Sequence, residues 1–286
     1  MSVLLSKKYA LLTIPGLLIL FFIFFYPLTK IILLSLYTRE IGGSYMEILT
    51  LHNYIHFFEQ PVYYTILLRT LRIAIFVTVC SLLLGYPLAH LLSKIEKHMG
   101  FFLLLLILLS LWVNELIRSY AWMVMLQERG LLNRMLLTLG VISNPIQFLE
   151  NEFGVVVGMV HILLPFMILP LFNNLTHIDE NLALAAKGLG ATPSQVFFKI
   201  TLPLSFSGIA TGSLLVFLIA MGLYITPSLL GGPKVMVMST LISQQMLNIL
   251  NWPFASASSC ILLALVFVTI ILFGKFLRFE KLIGEA

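Results

Sequence analysis

IDENLALAAKGLGATPSQVFFKITLP, residues 178–203, interrupts an otherwise apolar chain. Within it, Leu182, Ala185, Ala186 and Leu189 recur at i, i+3, i+4 and i+7. That spacing puts them on one face of a short helix, with Glu180, Asn181 and Lys187 opposite. Asp179 stands where an N-cap oxygen takes up a free N–H, and Gly190 supplies the left-handed residue that ends a helix. Thr192, Pro193 and Gln195 then mark a second start: a cap, a proline at the first helical position and a capping-box partner three residues on. The stretch therefore predicts a helix, a glycine break and another helix, forming a compact amphipathic knob. Such a face docks into a groove on another protein or lies on a membrane surface, and the periodicity serves both.

The surrounding sequence sets the medium. Of 286 residues, 60% are apolar and 10% charged, and the mean hydropathy is +1.04. A soluble domain carries about 25% charged residues, so 17 Lys+Arg and 12 Asp+Glu cannot coat a 32.2 kDa globule in water. Lipid supplies much of the solvent. The net charge of +5 does not point to nucleic acid, because the basic residues are scattered singly and form no patch with interleaved aromatics. Cys80 and Cys260 sit in apolar runs and read as small buried hydrophobes.

A helix needs about 20 apolar residues to cross the roughly 30 Å hydrocarbon core. Six runs of that kind occur: residues 9–28 (extending towards 36), 71–92, 101–117, 153–175, 206–230 and 254–273. The first is longer than the roughly 7–15 apolar residues of a secretory signal and lacks a small-x-small cleavage site, so it reads as a retained span. Six spans put both ends on one side. Lys94 and Lys97 in the short loop 93–100 join Lys7, Lys8, Lys275, Arg278 and Lys281 in a cationic collar, while Trp112, Trp122 and Trp252 fall at the opposite span ends. The expected fold is an all-α membrane protein, a single domain 1–286 with six transmembrane helices and both termini cytoplasmic. Loop 176–205 is then inside, and loops 37–69, 115–152 and 231–253 are outside. Pro165 and Pro170 read as kinks whose freed carbonyls neighbouring helices satisfy.

The loop resembles the cytoplasmic motif of binding-protein-dependent ABC transporter permeases: EAA, three residues, Gly, nine residues, I-x-L-P. Ala185, Ala186, Gly190, Ile200, Leu202 and Pro203 match with the spacing kept, and Leu184 stands where the family commonly has glutamate. LLGYPLAHLL (83–92), LIRSYAWMVML (116–126), LPFMILPLF (164–172), ITPSLLGGP (225–233) and NWPFASA (251–257) are similar to the spermidine/putrescine branch of that family.

The resemblance implies a type I importer permease (MetI-like) fold in a bacterial inner membrane. It also implies a second permease subunit, expected to be a different chain, an ABC ATPase dimer and an extracytoplasmic substrate-binding protein. It assigns ATPase docking to Leu182, Ala185, Ala186, Leu189, Gly190 and Pro203, with Pro203 leading straight into the fifth span as a lever. The chain carries no G-x-x-x-x-G-K-[ST] loop, since GLGATPSQ lacks the lysine and follows a helix. ATP therefore belongs to partner subunits, and the chain is expected to be no enzyme and to hold no cofactor.

Candidate pathway residues are Thr211, Ser213, Tyr224 and Thr226 in the fifth run, and Arg69, Arg72, Glu115 and Arg118 near the ends of the second and third. Small residues in a span also serve close helix packing. Charges near hydrocarbon face a cavity, pair, or snorkel, and Glu115 with Arg118 at i, i+3 is a candidate pair. A polyamine wants carboxylates or aromatic faces, yet Glu115 is the one acidic residue at a span edge, and the related permeases often carry an acidic residue where this chain has Leu223. A polyamine and an amino-acid-, opine- or phosphonate-like solute both remain open. His161 stands alone and His52 with His56 lacks further ligands, so no metal is expected. The alternative is an ATPase-independent secondary transporter or channel, which would carry mid-span charged relays or inverted repeats.

Overall fold

The computed structural model describes residues 2–40 and 42–284, with side chains for 15–16, 18–40, 42–96 and 98–275. Lys7, Lys8, Lys97, Arg278 and Lys281 of the expected collar lie outside the described side chains. The helices in order are α1 (Ser2–Ser35), α2 (His52–Glu59), α3 (Pro61–Lys94), α4 (Lys97–Leu109), α5 (Glu115–Leu126), α6 (Leu131–Thr138) and α7 (Glu152–Thr176). They continue with α8 (Glu180–Gly188), α9 (Pro193–Val196), α10 (Leu202–Leu204), α11 (Phe206–Gly222), α12 (Ile225–Gly231), α13 (Met238–Leu247) and α14 (Trp252–Gly284). Among the described residues, the regular structure is helical apart from one antiparallel pair of two-residue strands, Thr38–Arg39 with Tyr45–Met46.

Among the described residues, four helices are long and apolar enough to cross a membrane: Leu18–Ser35, Pro61–Lys94, Glu152–Thr176 and Trp252–Lys275. Three further helix pairs qualify only as bent units, at 91°, 58° and 84°. The expected third run, 101–117, is broken. Helix α4 ends at Leu109, a 3₁₀ turn carries the chain to Trp112, and the chain bends by 91° before α5. Asn114 causes the restart, its Oδ1 accepting the Leu116 N–H at 2.8 Å, and Glu115 in the first turn complements the helix dipole.

The expected fifth run, 206–230, is also broken. Helix α11 stops at Gly222, Leu223 is extended, and α12 begins at Ile225. Pro227 lacks the N–H that would bond the Leu223 carbonyl four residues back in a continuous helix. Ser239 Oγ donates to that carbonyl instead, at 2.7 Å. Helix α7, by contrast, runs through both Pro165 and Pro170. Helix α3 begins ten residues before the expected second run and spans 34 residues, about 50 Å at 1.5 Å per residue, so Arg69 and Arg72 lie within it rather than at its end.

Contacts divide the chain into two compact units, Met1–Tyr64 with Leu241–Ala264, and Thr65–Thr240 with Leu265–Ala286. In the first, Asn53 Nδ2 donates to the carbonyls of Ser35 and Tyr37, both at 2.9 Å, and the Tyr54 hydroxyl meets Ser35 Oγ at 2.7 Å. Burial pushes the Tyr54 phenol up, and the Ser35 bond offsets part of this. His56 packs on Tyr63 and Phe254, at ring distances of 5.6 and 5.5 Å.

In the second unit α7 is the core, with Met159, Leu163, Met167, Ile168 and Leu171 fully buried. Helix α11 lies along it because Gly208 and Gly212 let the backbones approach. A Cβ at Gly212 would come 2.9 Å from Met167 Sδ and 3.2 Å from its carbonyl oxygen.

Candidate functional site

The loop between α7 and α11 forms as its sequence predicts. Asp179 Oδ1 accepts the Asn181 N–H at 2.9 Å and caps α8. Gly190 has φ +86°, a left-handed conformation that costs an L-residue roughly 1–2 kcal/mol. The capping box is complete: Thr192 Oγ1 accepts from the Gln195 N–H at 3.3 Å, and Gln195 Oε1 from the Thr192 N–H at 2.9 Å.

Leu182, Ala185 and Leu189 are exposed, Leu182 at 47% and Leu189 at 91%, so they present an uncovered apolar stripe. Ala186 is half-buried on the inner side. With Leu189, Gly190, Gln195 and Lys199 it lines a cleft between α8 and the segment that follows α9. Leu184, at the position of the family glutamate, is exposed as well.

Pro203 does not lead straight into the next span. Residues Phe197–Thr201 form a π-turn in which the Leu202 N–H reaches the Phe197 carbonyl five residues back, and a 58° bend at Ser205 follows. The cause is again a missing N–H: Pro203 cannot bond the Lys199 carbonyl, and the widened turn absorbs the mismatch. Ser205 fixes the elbow. It is fully buried, with its Oγ 2.8 Å from the Leu202 carbonyl and 2.9 Å from the Tyr86 hydroxyl on α3. The Tyr86 ring stacks on His90, and Phe197 meets both rings edge-on, at ring distances of 5.6 to 6.3 Å. Tyr86 and Ser205 were missed in the sequence, where a tyrosine and a serine in separate apolar segments carry no signal that they touch.

The candidate pathway residues divide into three places. Thr226 is fully buried at the start of α12, hydrogen-bonded to Ser119 Oγ at 2.9 Å and donating to Glu115 Oε1 at 3.2 Å. This polar chain joins α12 to α5. Arg118, one helical turn from Glu115, is half-buried, and its Nε and Nη1 have no hydrogen-bond partner. Tyr224 sits exposed at the α11–α12 break.

Arg69 and Arg72 converge on one carboxylate, Glu152, at the first position of α7. Arg69 Nε stands 3.3 Å from Oε1, and Arg72 Nη2 bonds the same oxygen. Arg69 also donates to the Lys234 carbonyl at 3.3 Å, while Lys234 Nζ pairs with Glu150 at 2.9 Å. Glu152, which sequence reading did not single out, is therefore the anion that holds both arginines. Ser213 is half-buried along α11. Thr211 is exposed, and its hydroxyl donates to the Ser207 carbonyl at 2.8 Å.

No family model matches the chain. Over 249 residues it is 41% identical to the spermidine/putrescine transport system permease protein PotB of Escherichia coli (strain K12), covering 87% of this chain and 90% of that protein. Over 269 residues it is 38% identical to PotB of Salmonella typhimurium (strain SL1344), covering 94% and 93%. Its fold matches that of a bacterial alginate ABC transporter solved in complex with an alginate pentasaccharide-bound periplasmic protein. There the TM-score is 0.70 at 18% identity, covering 94% of this chain and 93% of that one.

These findings define the class: a multi-pass membrane permease subunit of a binding-protein-dependent ABC importer. Within that class the chain belongs to the family of the spermidine/putrescine permease PotB.

Proposed function

We propose that this chain forms one half of the translocation pathway for a polyamine in the inner membrane of a bacterium, beside a second, different permease subunit. The observation that carries the reading is identity of 38–41% over 87–94% of the chain with permeases named for spermidine and putrescine. The six spans are α1, α3, α4, α7, α11 and α14, with α5, α6, α12 and α13 on the outer side and both termini and loop 176–205 in the cytoplasm, the whole working as one permease domain. An ATPase dimer docks on Leu182, Ala185, Ala186, Leu189 and Gly190. That reading is supported by the exposed apolar stripe and the left-handed turn beside it. The subunit itself contributes no ATP chemistry.

ATP-driven closure of the ATPases moves the loop, and the Tyr86–Ser205 bond passes the displacement to α3 while the bent elbow passes it to α11. Coupling of this kind is a difference in contact energy between two states. At the outer end, Glu115, Arg118 and Tyr224 stand at the mouth where the binding protein delivers cargo, and the buried Thr226 holds Glu115 by a hydrogen bond. The carboxylate and the aromatic ring suit an ammonium group. Arg69 and Arg72 with Glu152 brace α3 against α7.

The test is uptake by proteoliposomes holding the assembled importer, its binding protein outside and ATP inside. Labelled spermidine is expected to accumulate with ATP and to be displaced by excess putrescine. Displacement by an amino acid or a phosphonate, with putrescine inert, overturns the polyamine assignment.

A further inference from the structure

His90 stands one helical turn before the end of α3 at Lys94, where that helix meets the docking loop. Its ring stacks on Tyr86 at 6.3 Å and meets Phe197 of the π-turn edge-on at 5.6 Å. Tyr86 in turn bonds Ser205 at the elbow. The imidazole is therefore part of a three-ring contact that joins α3 to the exit of the loop. It also lines a crevice of about 10 Å³ that includes Asp179 and Glu180, at the loop's entry.

One atom of this ring is left over. His90 Nδ1 is buried and has no hydrogen-bond partner. With the proton of a neutral imidazole on Nε2, Nδ1 is only an idle lone pair, but a second proton makes it a buried N–H of a cation. Such a donor without an acceptor carries the full cost of its desolvation.

The charged and titratable groups around the ring are committed elsewhere. Asp179 Oδ1 accepts the Asn181 N–H at 2.9 Å, and Glu180 stands 4.0 Å from Lys94 Nζ. Lys94 itself, one turn along α3, repels a second cation, and the Tyr86 hydroxyl is engaged by Ser205. From α7 and the π-turn the crevice receives Leu175 and Thr201, which bring no charge, and it has room for one water at most. The face of Tyr86 attracts a cation, yet an aromatic face is a weak substitute for the acceptor that a buried N–H lacks.

We propose that His90 is a positioning residue of the coupling joint: neutral, it holds the π-turn against α3, and protonated, it releases it, so that ATP hydrolysis loses its hold on uptake as the cytoplasm acidifies. This rests on the ATPase-docking reading of the loop given above and adds the regulation of the joint behind it.

The experiment uses the assembled importer in proteoliposomes, with the binding protein outside and ATP inside. Spermidine taken up per ATP hydrolysed is measured at lumen pH of about 7.5 and about 5.5, either side of the ordinary imidazole value of about 6.5. The wild-type ratio is expected to fall about fivefold at the lower pH, the effect of one unsatisfied buried donor. His90→Phe keeps a ring without a nitrogen, and its ratio is expected to be equal at the two values. His90→Ala removes the ring, and its ratio is expected to lie about fivefold below that of His90→Phe at both, with ATP hydrolysis retained. In the wild-type importer alone, amide hydrogen exchange of residues 197–205, corrected for intrinsic rates, is expected to be about fivefold faster at the lower pH.

An equal fall of the ratio in wild type and His90→Phe overturns the proposal, and so does wild-type exchange that does not change with pH. Parallel loss of uptake and ATP hydrolysis in His90→Ala overturns it too, because it marks a structural role. Slower exchange at the lower pH would mean that Glu180 leaves Lys94 to pair with the protonated ring, again contrary to the proposal. A wild-type importer that loses its ATPase on purification or takes up no spermidine at the higher pH would instead defeat the function proposed above, before any variant is read.

Discussion

Helices α8 and α9 and helices α11 and α12 both stop and restart within a few residues, but with bonds of different reach. At the loop the restart is local: Asp179 caps Asn181, and Thr192 and Gln195 cap each other. At the break after Gly222, Leu223 relies on Ser239, sixteen residues away, and Thr226 on Ser119 and Glu115, 107 and 111 residues away. A helix end in water borrows donors and acceptors from solvent, whereas one in an apolar setting must find them in other helices. Self-contained capping therefore suits a loop that moves as a unit, and long-range capping suits a break that is fixed in place.

This contrast can be broken at graded cost. The most damaging single change is expected to be Gly212→Leu, which forces a side chain onto Met167 and separates α7 from α11. Overpacking of this kind costs about 3 kcal/mol, seen as a lower thermal unfolding midpoint in detergent and loss of a monodisperse complex. Ser239→Ala leaves the Leu223 carbonyl unpaired at about 2 kcal/mol, and faster amide hydrogen exchange at the start of α12 is the readout. If exchange there is unchanged, the remote cap does not hold the break. Thr192→Ala removes one half of the capping box at about 1 kcal/mol. Its effect is expected in the exchange of α9 alone, with the α11–α12 break untouched. Lys94→Ala deletes an exposed pair with Glu180 at 4.0 Å and is expected to shift stability by no more than about 0.5 kcal/mol, within error of the same thermal measurement.

The same difference in reach explains what the sequence discloses. The caps at Asp179 and Thr192, the left-handed Gly190 and the apolar stripe of Leu182, Ala185 and Leu189 were legible because each depends on residues within one or two helical turns. The breaks inside residues 101–117 and 206–230 were not, because hydropathy alone treats Asn114 and Pro227 as tolerable interruptions of an apolar run. The π-turn before Pro203 likewise follows from a proline whose missing N–H can be met by a kink, a break or a widened turn. Glu152 escaped notice because it opens an apolar helix like an ordinary first-turn carboxylate. Its role depends on Arg69 and Arg72, some eighty residues earlier, projecting from the same stretch of α3.

A Gly190→Asp chain assembled with its partners tests the proposed docking of an ATPase on loop 176–205 through the glycine turn. A side chain at φ +86° with a charge beside Leu189 is strained and repels an apolar groove, while the space around Gly190 is open, so the subunit itself still folds. Gly190→Asp is expected to insert in the membrane at wild-type level, to lose the ATPase on purification and to show no ATP-driven uptake of spermidine. Wild-type uptake with the ATPase still bound would contradict it.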